Sequence, residues 1–329
     1  MKSVVIERAG GAEVLKVKEM PGLAPRYGEM IIDVAYAGVG LVDILIRKGE
    51  FTELFPFPLT PGIEVSGYVR SIGDGVEGFR IGQPVASMKL LELGGYATQA
   101  RVTPQLTVPL DALEGELSMA EAAASIVNLT TAYMAVKQVN RMREEDTVLV
   151  HAAAGGLGSF LGQVAKRFGA SRVLGTVGSP DKIKLAASLG YDELLLRSDF
   201  VEETKRIAGA QGVDAVFDPV GGETRARSLE LLRPLGQIVA LGNASGGEVL
   251  HNTNDIWLGN MNIAGFNLGA YAVYDPKAVG QAACEAMQLL ACGKIRSEVY
   301  GIYPMENASE AHRLLESRQT SGKLVLQMG

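Results

Sequence analysis

The feature that most constrains this chain is Val148-Leu-Val-His-Ala-Ala-Ala-Gly-Gly-Leu-Gly158, an apolar run that enters a glycine-rich turn and continues as the helix-patterned segment SFLGQVAKRFGA. Strand, glycine turn and helix in that order form the setting a phosphate loop requires. Against the G-x-G-x-x-G pattern, Ala153, Gly155 and Gly158 take the three positions that provide a tight turn, close backbone approach to a pyrophosphate, and close helix-to-strand packing. Backbone N–H groups from Gly156 to Ser159 are expected to face the anion from a helix N-terminus. A glycine turn alone can serve nothing but packing. Here the flanking strand, the helix and a second strand downstream favour a dinucleotide site built on Ala154, Gly155, Gly156, Leu157 and Gly158.

The end of the second strand selects the cofactor, because a carboxylate there binds the ribose 2′-hydroxyl of NAD and repels the 2′-phosphate of NADP. The segment reads Thr176-Val-Gly-Ser-Pro-Asp-Lys182, with no carboxylate at the strand end itself. Gly178 and Ser179 stand in its place, Lys182 supplies a point charge, and Arg197 after the third strand can close over a phosphate. Asp181 opposes this reading, and Ser179-Pro-Asp can also cap the following helix. NADPH is the expected cofactor.

With 329 residues, 47% of them hydrophobic, the chain can bury about two domains' worth of core. Short β-branched runs broken by glycine and proline extend to about residue 108, and helical texture begins near Ser118, which with Glu121 forms a capping-box signature. Strands then alternate with helices, which implies a parallel, doubly wound α/β sheet. The final strand, GKLVLQM, could return to the first domain. The expected domains are 1–120, completed by about 270–329, and 121–269.

Thirty-one basic residues against 37 acidic give a net charge of −6 with no basic block, so nucleic acid is not an expected partner. The N-terminus carries no signal-like apolar region, and no apolar run approaches the roughly 18 residues of a membrane span, so a cytoplasmic protein without a membrane partner is expected. Cys284 and Cys292 lie eight positions apart on a helix-patterned segment, too far for a disulfide, and are read as buried or half-buried thiols.

Taken together, Gly38-Val-Gly-Leu-Val-Asp43 with Ile46-Arg-Lys-Gly49, Pro61-Gly-Ile-Glu-Val-Ser-Gly67, Gly94-Gly-Tyr-Ala97, Leu129-Thr-Thr-Ala-Tyr133, the glycine turn and Asp218-Pro-Val-Gly221 resemble the medium-chain dehydrogenase/reductase superfamily, and within it the quinone oxidoreductase group of zeta-crystallin. The resemblance covers nearly the whole chain. It implies a GroES-like β-rich domain, a Rossmann domain and a homodimer across the Rossmann sheets. It also places Thr130 and Tyr133 against the nicotinamide, with Gly242, Asn243, Ala244, Ser245, Phe266 and Leu268 covering it and Lys323 near the cofactor.

Zinc-dependent relatives place a cysteine where this chain has Gly40 and a histidine where it has Ile63, so no metal is expected. His151 is read as a core histidine. Relatives in the quinone group commonly carry an asparagine at the position of Gly40 and tyrosines at those of Leu45 and Phe51. The resemblance thus implies a substrate pocket at Gly40, Leu45 and Phe51 that is more apolar than usual. The expected activity is hydride transfer from NADPH to a small-molecule electrophilic acceptor, a quinone or an α,β-unsaturated carbonyl. The alternatives are an enoyl-thioester reductase and, from another class, a non-catalytic, crystallin-like NADPH-binding protein.

Overall fold

The β-branched runs at the start of the chain form strands that the intervening glycines and prolines terminate. In the computed structural model, which describes residues 1–329, β1 (Lys2–Val5) and β2 (Lys16–Glu19) make an antiparallel pair. They precede β3 (Met30–Val39), the helix α1 (Leu41–Lys48), β4 (Glu64–Ile72), β5 (Pro84–Met88), β6 (Gln99–Val102) and β7 (Thr107–Pro109). Ser118 and Glu121 form the reciprocal cap at 3.2 Å in each direction, and α2 runs Met119–Met134.

The middle of the chain alternates strictly: β8 (Thr147–Val150), α3 (Gly158–Arg167), β9 (Arg172–Val177), α4 (Asp181–Ala186), β10 (Glu193–Leu196), α5 (Phe200–Ala208), β11 (Val213–Asp218), α6 (Gly222–Ser228), β12 (Leu232–Ala240), α7 (Thr253–Leu258) and β13 (Asn262–Gly265). The strands form one six-stranded parallel sheet in the order β10-β9-β8-β11-β12-β13. Near-continuous apolar sequence in β8, β9 and β11 suits strands covered on both faces. Leu149, Leu174, Phe200, Val213, Val216 and Ile238 pack in one buried cluster. The strand order reverses between β8 and β11, and in such sheets ligands bind at the carboxyl ends of the strands at that reversal.

The remaining elements are α8 (Leu268–Tyr274), α9 (Pro276–Ala291), β14 (Val299–Pro304), α10 (Ala308–Glu316) and β15 (Lys323–Gln327). β15 pairs antiparallel with β3, so the terminal strand joins the N-terminal sheet in the order β14-β15-β3-β4-β5-β7, with β6 also on β3. Contacts divide the chain into two units, residues 1–130 with 268–329, and residues 131–267; the division falls inside α2 because that helix is continuous. The apolar face of α9 is Val279, Ala282, Ala283, Ala286, Met287 and Leu290. Cys284 and Cys292 lie off this stripe and are exposed free thiols, which corrects the expectation of buried or half-buried thiols.

Candidate functional site

In the unit 131–267 the glycine turn follows β8 directly. Gly155 N–H donates to Ala152 O (2.9 Å), Ala153 N–H to Thr176 O (2.9 Å) and Ser159 N–H to Gly155 O (2.8 Å). The Tyr191 hydroxyl donates to Gly158 O, which fixes the start of α3. A Cβ on Gly158 would lie 2.2 Å from the Ala152 carbonyl oxygen, so only glycine lets the helix approach the turn this closely. The N–H groups of Gly156, Leu157 and Gly158 meet no acceptor in the chain, whereas that of Ser159 is taken by Gly155. The open anion-facing donors are therefore three consecutive residues at the mouth of a ten-residue helix.

The carboxyl end of β9 adds positive charge. Arg197 N–H donates to Val177 O (2.9 Å), and its guanidinium lies over the neighbouring residue, with Nη2 at 2.7 Å from where a Gly178 Cβ would stand. Ser179 and Lys182 close the same turn through Lys182 N–H to Ser179 O (3.1 Å). Asp181 is exposed on the first turn of α4.

After β11, Asp218 is fully buried and accepts from Val220 N–H (2.7 Å), Gly221 N–H (3.0 Å) and Arg225 Nε (2.7 Å). Arg225 also donates to Gly242 O. Ala244 N–H and Ser245 N–H donate to Pro219 O (3.1 Å) and Val220 O (2.9 Å), so the exposed loop Gly242-Asn243-Ala244-Ser245 is stapled to the loop after β11. Half-buried Phe266 donates its N–H to Ala240 O (3.0 Å) just past β13. The ends of β8, β9, β11 and β12 thus gather most of the cofactor residues expected from sequence at the carboxyl edge of one sheet.

His151 lies just before the turn with no exposed surface. Ser228 Oγ donates to Thr224 O, so it receives the proton of His151 Nε2 (2.8 Å), and Thr176 Oγ1 donates to Nδ1 (3.0 Å). Burial pulls its pKa down to about 4 and keeps the ring neutral. It is a satisfied core histidine.

Tyr133 departs from expectation. Its ring packs edge-on against Phe168 at 5.5 Å, and its hydroxyl accepts from Lys137 Nζ (2.6 Å). Phe168 ends α3, about 15 Å along the helix from Gly158, so Tyr133 stands at the amino edge of the sheet, away from the turn. Thr130 is fully buried and donates to Ile126 O of its own helix, and Leu268 is buried at the start of α8. Thr130 Oγ1 keeps its lone pairs as acceptors, while the Tyr133 hydroxyl is held by Lys137 and Leu268 offers only apolar surface.

In the other unit, Gly40 precedes α1, half-buried Leu45 lies on α1, and half-buried Phe51 follows that helix. A charged cluster that the sequence did not reveal surrounds Gly40. Lys323 Nζ pairs with Glu64 Oε1, with both side chains nearly enclosed. Asp43 accepts from Gly40 N–H (2.8 Å) and Gly62 N–H (3.0 Å). A Cβ on Gly40 would meet Lys323 Nζ at 3.3 Å and Asp43 Oδ2 at 3.5 Å. Charged groups therefore border Gly40, whereas Leu45 and Phe51 are apolar and half-buried. Burial raises the Asp43 pKa to about 6 and also lifts that of Glu64, with Lys323 opposing both shifts.

Tyr96 extends this network. Arg47 Nη1 donates to His312 Nδ1 (3.5 Å) and Nη2 to Glu316 (2.8 Å). The His312 proton therefore sits on Nε2 and faces the Tyr96 oxygen (3.2 Å), while the Tyr96 hydroxyl bonds Asp43. Burial lowers the His312 pKa to about 3. No group of three or more His, Cys, Asp or Glu side chains could hold a metal ion. Gly40 and Ile63 offer no donor atoms, so the residues do not fit a catalytic zinc.

A β-rich unit completed by the terminal strand, together with a six-stranded sheet reversing at a glycine turn, defines a medium-chain dehydrogenase/reductase. Residues 26–112 match the alcohol dehydrogenase GroES-like domain, and residues 156–289 match the family described as zinc-binding dehydrogenase. The chain is 30% identical to quinone oxidoreductase 1 of Escherichia coli, over 98% of each chain, and 29% identical to the synaptic vesicle membrane protein VAT-1 homolog of Danio rerio, over 99% of this chain and 69% of the relative. The crystal structure of Escherichia coli quinone oxidoreductase complexed with NADPH superimposes with a TM-score of 0.90 at 30% identity, covering 99% of this chain and 100% of that one. The chain belongs to the quinone oxidoreductase group of the medium-chain dehydrogenase/reductase superfamily.

Proposed function

We propose that the chain is an NADPH-dependent reductase that passes a hydride to a quinone. NADPH supplies the hydride when bound; the protein's part is to hold and orient it and the acceptor. Gly156, Leu157 and Gly158 would receive the pyrophosphate, and Gly178, Ser179, Lys182 and Arg197 the 2′-phosphate. The loop 242–245 and Phe266 would flank the nicotinamide side. The observation that carries this reading is the Arg197 guanidinium lying over Gly178 at the end of β9, where an NAD enzyme needs a carboxylate.

Relatives named as quinone oxidoreductases favour a quinone over an enoyl thioester, and favour an enzyme over a purely nucleotide-binding protein. In this reading residues 1–120 with about 270–329 form the GroES-like acceptor domain and 121–269 the nucleotide domain. No helix is long and apolar enough to cross a membrane. We place the protein in the cytoplasm as a homodimer, using the edge of β13, which pairs only with β12.

Cofactor selectivity tests the reading. Arg197→Ala removes one charge-assisted contact, about 1.5–3 kcal/mol, so NADPH affinity measured by fluorescence titration should fall roughly 10- to 100-fold while NADH affinity stays the same. An equal loss for both nucleotides would remove Arg197 from the 2′-phosphate site.

A further inference from the structure

The cofactor residues occupy the carboxyl edge of the six-stranded sheet and leave its amino edge without a role. At that amino edge, the ends of β8, β11, β12 and β13 border a cavity of about 210 Å³. Pockets for drug-sized ligands measure about 300–1,000 Å³, so the occupant of this one is small. Asp214 on the cavity wall and Asp218 at the cofactor edge stand four residues apart on β11, about 13 Å along the strand, which keeps the two places separate.

The charges of the wall do not cancel. Arg141, Arg143 and Arg233 line the cavity with Asp146 and Asp214. Asp214 accepts from Thr147 N–H (2.8 Å) and pairs with Arg233 Nε, while Asp146 accepts from Arg143 N–H (2.9 Å) and stands beside Asp214. The guanidinium groups of Arg141 and Arg143, by contrast, meet no acceptor in the chain. The charge left open at the wall is therefore cationic, and it belongs to the side chain best shaped for oxyanions. The backbone is strained at the same place. Arg141 (φ 54°) ends a π-helical turn, Ala135–Asn140, and Leu235 (φ 68°) also lines the cavity, with Glu145 (φ 74°) and Asn260 (φ 51°) close to the wall residues Asp146 and Asn262. Four of the six non-glycine residues of the chain with left-handed backbone thus gather around one cavity, the concentration expected where a fold holds a ligand site against local preference.

We propose that this cavity binds a singly protonated phosphate group. Its ionised oxygens accept N–H bonds from Arg141 and Arg143, and its hydroxyl donates to the Asp146 carboxylate. A wall that offers both open cations and acceptors suits an anion that brings its own proton. Asn140 Oδ1, enclosed at the same wall, likewise has no donor in the chain. Sulfate has the shape of phosphate but carries no proton near neutral pH, so Asp146 and Asp214 discriminate against it by repulsion.

Titration of the full-length protein in phosphate-free buffer tests the site, read by isothermal calorimetry and by the rise in urea midpoint that a ligand of the folded state produces. Inorganic phosphate is expected to bind with a millimolar or tighter Kd, and sulfate about 10-fold more weakly. Arg141→Gln with Arg143→Gln replaces two exposed side chains that have no partner in the chain, and should weaken phosphate roughly 10- to 100-fold. Arg197→Ala, at the cofactor edge, should leave phosphate affinity as it is. Asp146→Asn keeps an acceptor for Arg143 N–H but removes the negative charge, and should bring sulfate close to phosphate in affinity. Methyl phosphate separates the two sources of the group: binding as tight as that of inorganic phosphate supports a phosphomonoester, and weaker binding supports the free ion. A parent protein that binds no phosphate at millimolar concentration, or binds sulfate equally well, would overturn the proposal. So would a loss of binding in Arg197→Ala that the double arginine variant does not share, since the ion would then sit at the cofactor edge.

Discussion

Gly158→Val abolishes NADPH binding, with at least a ~100-fold rise in Kd, and lowers stability by about 1–3 kcal/mol. The Ala152 carbonyl oxygen lies 2.2 Å from where any Cβ would stand, and that carbonyl already accepts from Gly155 N–H. A side chain must therefore push α3 away from the turn. The displacement carries off the N–H groups of Leu157 and Gly158 and strains the Tyr191 bond to Gly158 O. Isothermal titration with NADPH, beside a urea melt, reads both effects. Gly265→Ala is the control, since nothing lies within 4 Å of the added carbon. Unchanged affinity in Gly158→Val would show that the turn does not hold the pyrophosphate.

The second large effect is acid lability. Unfolding frees His151 and His312 to titrate at their ordinary pKa near 6.5, whereas the folded protein keeps them neutral down to about 4 and about 3. Between pH 6.5 and 4 the unfolded chain binds more protons at both sites, so stability falls on acidification by roughly 3 kcal/mol for each ring. Asp43 works in the opposite sense. Its pKa is about 6 folded and 3.8 unfolded, so over that window the folded state holds the extra proton and loses stability as the pH rises. Asp43 offsets about one histidine, and Glu64, whose pKa burial also raises, offsets more in the same sense, so the two carboxyls mask part of the loss carried by the rings. Urea denaturation at pH 7, 6, 5 and 4.5 measures the slope, and Asp43→Asn, which removes one offset, should make the fall on acidification steeper by roughly 3 kcal/mol over the window. Stability of the Asp43→Asn, Glu64→Gln variant that is flat or rises from pH 7 to pH 5 would contradict the neutral, buried state of both rings.

The parts of this protein that sequence revealed are those whose chemistry is local. The turn from Ala153 to Gly158 is legible because its constraint runs between Gly158 and Ala152, six residues apart. Likewise Ser118 and Glu121 cap each other across a single helical turn. The alternation of apolar strands with helices gave the parallel sheet for the same reason. The cluster of Asp43, Glu64 and Lys323 was not legible, because register on β3, β4 and β15 brings together residues up to 280 positions apart in the sequence. The available signal was a single charge inside an apolar run, as in Pro-Gly-Ile-Glu-Val, Leu-Val-Asp-Ile-Leu and Gly-Lys-Leu-Val-Leu. The packing of Tyr133 was not legible for a related reason. Its motif identifies a position on α2, but packing against Phe168 decides which end of the sheet the ring occupies.

The most direct test of the central claim is a single-turnover measurement. The purified protein is saturated with NADPH, mixed with 1,4-benzoquinone, and followed through the loss of reduced-nicotinamide absorbance. Stoichiometric oxidation of NADPH to NADP, faster than in protein-free solution and much slower when NADH replaces it at the same concentration, is the predicted result. NADPH that binds tightly yet is oxidised no faster than in free solution would contradict the assignment of this chain as a quinone reductase.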